Sequence, residues 1–281
     1  MTSSEMPAPP QGAADGAGTL PFDTSVAHQA RIYDYLLGGK DNYAADRAAA
    51  EELAKTWPGL PFSARANRAF LGRVVRHLAG EAGIYQFLDI GTGIPTAGNT
   101  HQVAQAITPE SRVVYVDYDP VVLAHARALL TSDEAGATDY IHADLRDTGT
   151  VLAQAAELLD FTRPVAVMLI AVLHAMPDSD DPQRIVARLM DTVPSGSHLA
   201  ISHTASDLLG QEAREGVKDV VDRLVQQNGA ARSREQVAGF FEGMDLVEPG
   251  LVRVEEWRPE PETETSSTAK SALWGAVARQ C

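Results

Sequence analysis

From Tyr85 onward the chain alternates short, nearly continuous apolar runs with longer segments whose apolar positions recur every three or four residues. The runs are Tyr85 to Ile90, Val113 to Asp117, a stretch centred on Tyr140 and Ile141, Val165 to Val172, and His198 to His203. They predict five buried strands. The segments between them predict helices. Asp119-Pro120 and Asp181-Pro182 each pair an N-cap residue with a proline at the first turn, the second ahead of Ile185, Val186, Leu189 and Met190. Asp207 to Gln227 carries Ala213, Val217, Val220, Val221, Leu224 and Val225 along one side and stops at Asn228-Gly229. Ser233 to Gln236 has the spacing of a capping box. Leu246 to Trp257 and Leu273 to Ala278 read as two further strands joined by an acidic loop rich in Pro, Glu and Thr. Strand and helix in strict alternation predict an α/β fold, a parallel sheet with helices on both faces, closed here by a reversed hairpin.

The first third of the chain has another texture. Residues 1–22, rich in Pro, Gly, Ala and Ser with few large apolar side chains, predict a disordered tail. Residues 23–82 predict a helical cap: two helical pieces between Ser25 and Leu53, broken at Gly38-Gly39, and a third from about Ser63 to Ala79 that repeats Phe70, Val74 or Val75, and Leu78. Residues 83–281 then form the α/β domain.

Bulk composition narrows the function. A chain of 281 residues with 44% hydrophobic content can bury one large core. Twenty-three basic against 38 acidic residues leave a net charge of −15, which repels a phosphate backbone and argues against nucleic acid as a partner. The single cysteine, Cys281, excludes an internal disulfide framework and a cysteine-based zinc site, so a cytoplasmic location is the simplest expectation. No membrane span or signal pattern is visible.

The candidate chemistry begins at Asp-Ile-Gly-Thr-Gly, residues 89–93, where a strand runs into a glycine turn. Gly91 and Gly93 suit a backbone that bends sharply and approaches a ligand, although an ordinary tight turn has the same look. Asp117 ends the second strand about two dozen residues past Gly93, where a doubly wound fold places the carboxylate that holds a ribose. Nicotinamide dinucleotides and S-adenosylmethionine both carry that ribose. A dinucleotide site calls for a third glycine to seat its pyrophosphate, and Thr96 stands there. That favours the phosphate-free S-adenosylmethionine, whose amino group Asp89 can hold. A nicotinamide-dependent oxidoreductase and a non-catalytic binding module are the alternatives.

Several phrases carry a resemblance. Ala-Arg-Ile-Tyr-Asp-Tyr-Leu-Leu-Gly-Gly-Lys-Asp-Asn-Tyr (30–43), Phe-Leu-Asp-Ile-Gly-Thr-Gly-Ile-Pro-Thr (87–96), Asn-Thr-His (99–101), Val-Asp-Tyr-Asp-Pro-Val-Val-Leu (116–123), Ala-Asp-Leu-Arg-Asp (143–147) and Leu-Val-Glu-Pro-Gly-Leu-Val (246–252) together resemble the S-adenosyl methyltransferase family long listed as a domain of unknown function. The resemblance covers roughly residues 24–279. It implies a Rossmann-like class I methyltransferase fold, with a seven-stranded sheet in the order 3-2-1-4-5-7-6, helices on both faces and an N-terminal helical lid. It also implies S-adenosyl-L-methionine as cofactor and a small-molecule methyl acceptor, with methylation on oxygen or nitrogen. Carried over, Asp89, Gly91 and Gly93 form the turn beside the methionine part, Asp117 binds the ribose, Asp144 meets the adenine amino group, and Leu145 and Tyr118 pack on the ring. Pro95, where a third glycine is common in methyltransferases at large, removes one backbone donor.

For proton removal from the acceptor, the candidates are His174 after strand four and His203 at the end of strand five, both at carboxyl ends of the sheet. Each has an ordinary reading as a hydrogen-bonded histidine. In the N-terminal cluster, Lys40 is placed to meet the cofactor carboxylate and Tyr33 to face its sulfonium. Arg65 and Arg68 are rival partners for that carboxylate and otherwise read as surface arginines. Asp117, Asp119, Asp144, Asp147, Asp178, Asp180 and Asp181 crowd one sheet edge, but Asp119 and Asp181 are accounted for as caps, and no metal is expected.

Overall fold

The computed structural model describes residues 23–122, 134–225, 229–260 and 269–281. The tail expected at residues 1–22 lies outside them, as do Asn228, most of the helix expected after Asp119-Pro120, and the centre of the acidic loop.

Three helices come first: α1 (Gln29–Leu36), α2 (Ala44–Thr56) and α3 (Leu60–Gly80). Helix α3 starts three residues earlier than expected because Pro61, with no amide hydrogen to satisfy, fits its first turn. The α/β part follows as β1 (Gln86–Ile90), α4 (Thr100–Gln105), β2 (Arg112–Asp117), β3 (Ala137–His142), α5 (Thr148–Ala155), β4 (Ala166–Ile170), α6 (Pro182–Met190), β5 (His198–Thr204), α7 (Gln211–Val220), α8 (Arg234–Ala238), β6 (Met244–Leu246), β7 (Val252–Arg253) and β8 (Leu273–Gln280). The sheet order is β3-β2-β1-β4-β5-β8-β6, with β7 pairing on β8. Strands β1 to β5 are parallel, and β8 is antiparallel to β5. This is the expected class I methyltransferase order, its C-terminal strand counted eighth because the two-residue β7 intervenes.

Successive residues of the central strands enter opposite layers, which is why their sequences are apolar throughout. Leu88, Ile90, Val114, Val116 and Leu169 pack with α5, α6 and Phe240 on one face. Phe87, Val113, Tyr115 and Met168 pack with α3 and Trp257 on the other. A third cluster, built from Ile32, Ala49, Leu53, Val220 and Val225 with Leu36 and Val217 against it, joins α1, α2 and α7.

Two expected elements are cut short. The strand expected over Leu246 to Trp257 splits into β6, β7 and a single 3-10 turn (Val254–Glu256), because Pro249 cannot donate to a ladder and Gly250 takes a left-handed φ of +84°. The helix expected from Asp207 begins only at Gln211. The Asp207 carboxylate is engaged by the Trp274 indole N–H and the Arg234 amide, both at 2.8 Å, and holds its segment out of the helix. Among the described residues no helix is long and apolar enough to cross a membrane, and no group of His, Cys, Asp and Glu is arranged to hold a metal ion.

Candidate active site

The carboxyl end of β1 turns sharply. The Gly91 amide donates to Val116 O of β2 at 2.8 Å, with φ +74°, and a side chain there would be driven into Val172. Gly93, φ +64°, donates its amide to Asp117 Oδ2 at 2.9 Å, and the Asp119 amide reaches Oδ1 at the same distance. The carboxylate that closes β2 is thus oriented by two backbone donors while each oxygen keeps a lone pair for a ligand. Burial pushes the Asp117 pKa up, against the pull of those two amides. Asp89 is 4% exposed and takes a hydrogen bond from Thr100 Oγ1 at 2.6 Å. Burial lifts its pKa to about 6, opposed by the Thr100 hydroxyl and the nearby Arg68 charge. A carboxylate in that condition favours a cationic partner.

These groups open onto a cavity of about 760 Å³ between the carboxyl ends of the strands and the underside of α1, α2, α3 and α7. Of the residues singled out from sequence, Tyr33, Asp89, Gly91, Gly93, Asp117, Tyr118, Leu145 and His174 line it. Tyr33 is anchored rather than free: its hydroxyl donates to Ala64 O and accepts from Asn67 Nδ2, both at 3.0 Å, and Asn67 is in turn held by Ser202 Oγ.

Lys40, Asp144 and His203 do not line it. Lys40 is exposed, because the phrase around it serves a turn. The buried Asp34 carboxylate accepts from the Asp41 amide at 2.9 Å and the Asn42 side chain at 2.8 Å, and Gly39 sits so close that a Cβ would collide with the carboxylate. Asp144 is turned onto Arg146, taking its amide at 2.9 Å and guanidinium at 2.8 Å; the same arginine reaches Asp180 at 2.7 Å. His203 is fully buried with both ring nitrogens occupied, Nδ1 2.8 Å from Thr204 O and Nε2 2.9 Å from the Arg232 guanidinium. Nε2 is committed to an arginine that further bonds to Leu173 O, Met176 O and Asp178 hold in place, and the ring does not line the cavity, so His203 is a structural histidine. Burial depresses its pKa to about 3.

His28, Gln29 and Arg232, none of them singled out from the sequence, shape the site, and of the two rival arginines Arg68 comes to the cavity. His28, N-cap of α1, lies 3.0 Å from Asp119 Oδ2 and 3.2 Å from the Tyr118 hydroxyl, closing the N-terminal helix against the end of β2. Gln29 places its amide nitrogen 2.6 Å from His174 Nε2. Arg68 lines the cavity beside Asp89 and Gly93 and is braced by Ala97 O at 3.1 Å and Asn99 Oδ1 at 3.0 Å, whereas Arg65 is exposed. Arg232, 4% exposed, donates to Leu173 O and Met176 O at 3.0 Å each and to Asp178 at 2.7 Å, which fixes the loop carrying His174. The amphipathic start of α1 signals a buried helix, but no local pattern marks Arg232.

Comparison with known proteins agrees with this architecture. No curated protein matches the chain. The crystal structure of a DUF574 family protein from Streptomyces avermitilis MA-4680 is 46% identical, with a TM-score of 0.88 over 92% of this chain and 99% of that one. A candidate methyltransferase from Thermobifida fusca YX is 40% identical, with a TM-score of 0.82 over 92% and 96%. A SAM-dependent methyltransferase from Anabaena variabilis ATCC 29413, 13% identical, shares the fold at a TM-score of 0.50 over 74% and 84%. The model of the S-adenosyl methyltransferase family matches residues 16–281, and the chain belongs to that family of SAM-dependent enzymes.

Proposed function

We propose that the protein methylates an oxygen or nitrogen of a small molecule, with S-adenosyl-L-methionine held at the ends of β1 and β2. The residues present suit that cofactor. Asp117, preoriented by the Gly93 and Asp119 amides, offers two acceptor oxygens to a ribose diol. Asp89 offers a buried carboxylate to the amino group, and Arg68, beside it on the same wall, offers a guanidinium to the carboxylate. Leu145 and Ala143 supply an apolar surface for adenine, Tyr118 an aromatic edge. Asp144, committed to Arg146, is left out of this assignment, as is Lys40, whose place Arg68 takes.

The bound cofactor supplies a methyl group on a sulfonium, open to in-line displacement. The chain's part is to align the acceptor, exclude water and receive a proton. Helices α1 and α2 cover the cleft from above, and Gln29 and His174 form its polar point near β4. The supporting observation is the Asp117 carboxylate, buried at the strand end yet lining the cavity. Titration with S-adenosylhomocysteine is expected to give saturable binding that Asp117→Ala abolishes, and a labelled-methyl screen of metabolite pools to give a labelled small molecule. Undiminished binding by Asp117→Ala overturns the reading.

A further inference from the structure

We propose that the acceptor is an uncharged, largely apolar molecule presenting a phenolic or enolic hydroxyl, seated between Gln29 and His174; this rests on the function proposed above. Away from Asp89 and Asp117 the cavity wall is largely apolar, with Leu36, Leu53, Trp57 and Leu60 on one side and Val217 of α7 and Val221 just past its end on the other, and with Asn67 and Thr204 among its few uncharged polar groups. The charged groups on that wall are spoken for. Arg214 donates to Ser206 O at 2.6 Å, and Lys218 is paired with Asp222 one turn along the helix. Arg214, Lys218 and Asp222 are all exposed to solvent, so a carboxylate, phosphate or ammonium seated against the apolar residues would lose hydration with no buried counterion beside it, which is costly. A neutral apolar molecule pays no such penalty and gains from burial.

The polar point in this wall is the contact of the Gln29 amide nitrogen with His174 Nε2. The same amide reaches Ala171 O at 3.4 Å, which sets it as a donor and His174 Nε2 as an acceptor. His174 Nδ1 is buried with no partner. Arg232 lies behind the ring, and burial together with that charge lowers the His174 pKa to about 4, so the imidazole is neutral at pH 7. A hydroxyl that displaces the Gln29 amide from Nε2 takes over that lone pair, donating to His174 while the freed amide donates to the hydroxyl oxygen. As the oxygen bonds to the methyl carbon and the carbon–sulfur bond breaks, the hydroxyl proton passes to Nε2, and the imidazolium then releases it to water. So weak a base suits an acidic hydroxyl better than an alkanol.

Binding of S-adenosylhomocysteine alone checks the underlying reading, so its failure is distinguishable. The protein saturated with S-adenosylhomocysteine is then titrated with 2-naphthol, 2-naphthylamine, 2-naphthoate and 2-decalol. 2-Naphthol is expected to bind at least on the order of tenfold more tightly than naphthoate, and Trp57→Ala and Val217→Asp, on opposite walls, each to weaken it without changing affinity for S-adenosylhomocysteine. In labelled-methyl transfer, 2-naphthol is expected to be methylated and 2-decalol not. His174→Ala is expected to slow transfer by roughly 100-fold or more, with the loss shrinking for more acidic fluorinated naphthols. Naphthoate or naphthylamine binding as well as naphthol overturns the assignment, as does a His174→Ala variant whose loss is independent of phenol acidity.

Discussion

Protonation of Asp89 is expected to control cofactor affinity between pH 5 and 7. In the free protein burial raises this carboxyl from 3.8 to about 6, a difference equivalent to about 3 kcal/mol between its charged and neutral forms. Raised in this way, the group contributes to folding fully below pH 3.8, and that contribution is lost as pH rises through 6. A ligand ammonium against the carboxylate reverses the balance, so a proton and the ligand compete for one site. With a free pKa near 6, the ionised fraction falls about tenfold from pH 7 to pH 5, and affinity with it. Calorimetry of S-adenosylhomocysteine across this range is compared with 5′-methylthioadenosine, which keeps the ribose and adenine but lacks the amino acid. Asp117, whose pKa is also raised, acts on both ligands alike; the difference between their profiles belongs to Asp89, set against its neighbours Thr100, Arg68 and Asp117. Asp89→Asn is expected to flatten that difference. Identical pH profiles for the two ligands, in the parent protein, refute the reasoning.

Three further outcomes are expected. Asp117→Ala removes two charge-assisted ribose contacts and is expected to lower cofactor affinity by on the order of 100-fold or more, measured by calorimetry. Gly91→Ala forces a side chain into Val172 from a left-handed backbone and is expected to cost at least about 1–3 kcal/mol in urea denaturation. Arg232→Met strands the carbonyls of Leu173 and Met176 and the ring of His203, and is expected to destabilise the fold by on the order of 3 kcal/mol; an unchanged melting temperature contradicts its role.

What could be read from sequence follows from what is periodic or local. Strands β1, β2, β4 and β5 declare themselves because both faces are covered, whereas the edge strand β3 is only half-buried; the glycine turn declares itself because its backbone demands φ values that other residues resist. Side-chain direction is not local in that sense. Asp144 sits where a ligand-facing carboxylate was expected, yet Arg146, two residues on, draws it aside. Lys40 lies in the most distinctive phrase of the chain, but that phrase is distinctive because Asp34 must be enclosed by Gly39, Asp41 and Asn42. Arg65 and Arg68 read alike in the sequence, as rival carboxylate partners or surface arginines, and only α3 lying against the β1 turn separates them, Arg68 in the cavity and Arg65 exposed. His203 and Arg232 are 29 positions apart and meet only in the folded chain.

The cavity draws its two ends from different sources. One end comes from the strand termini, where any change disturbs the sheet; the other comes from α1, α2 and α7, which contribute no strand. Relatives can therefore diversify at Trp57 or Val217 while the sheet end stays as it is, and choice of acceptor is free to drift within an unchanged scaffold.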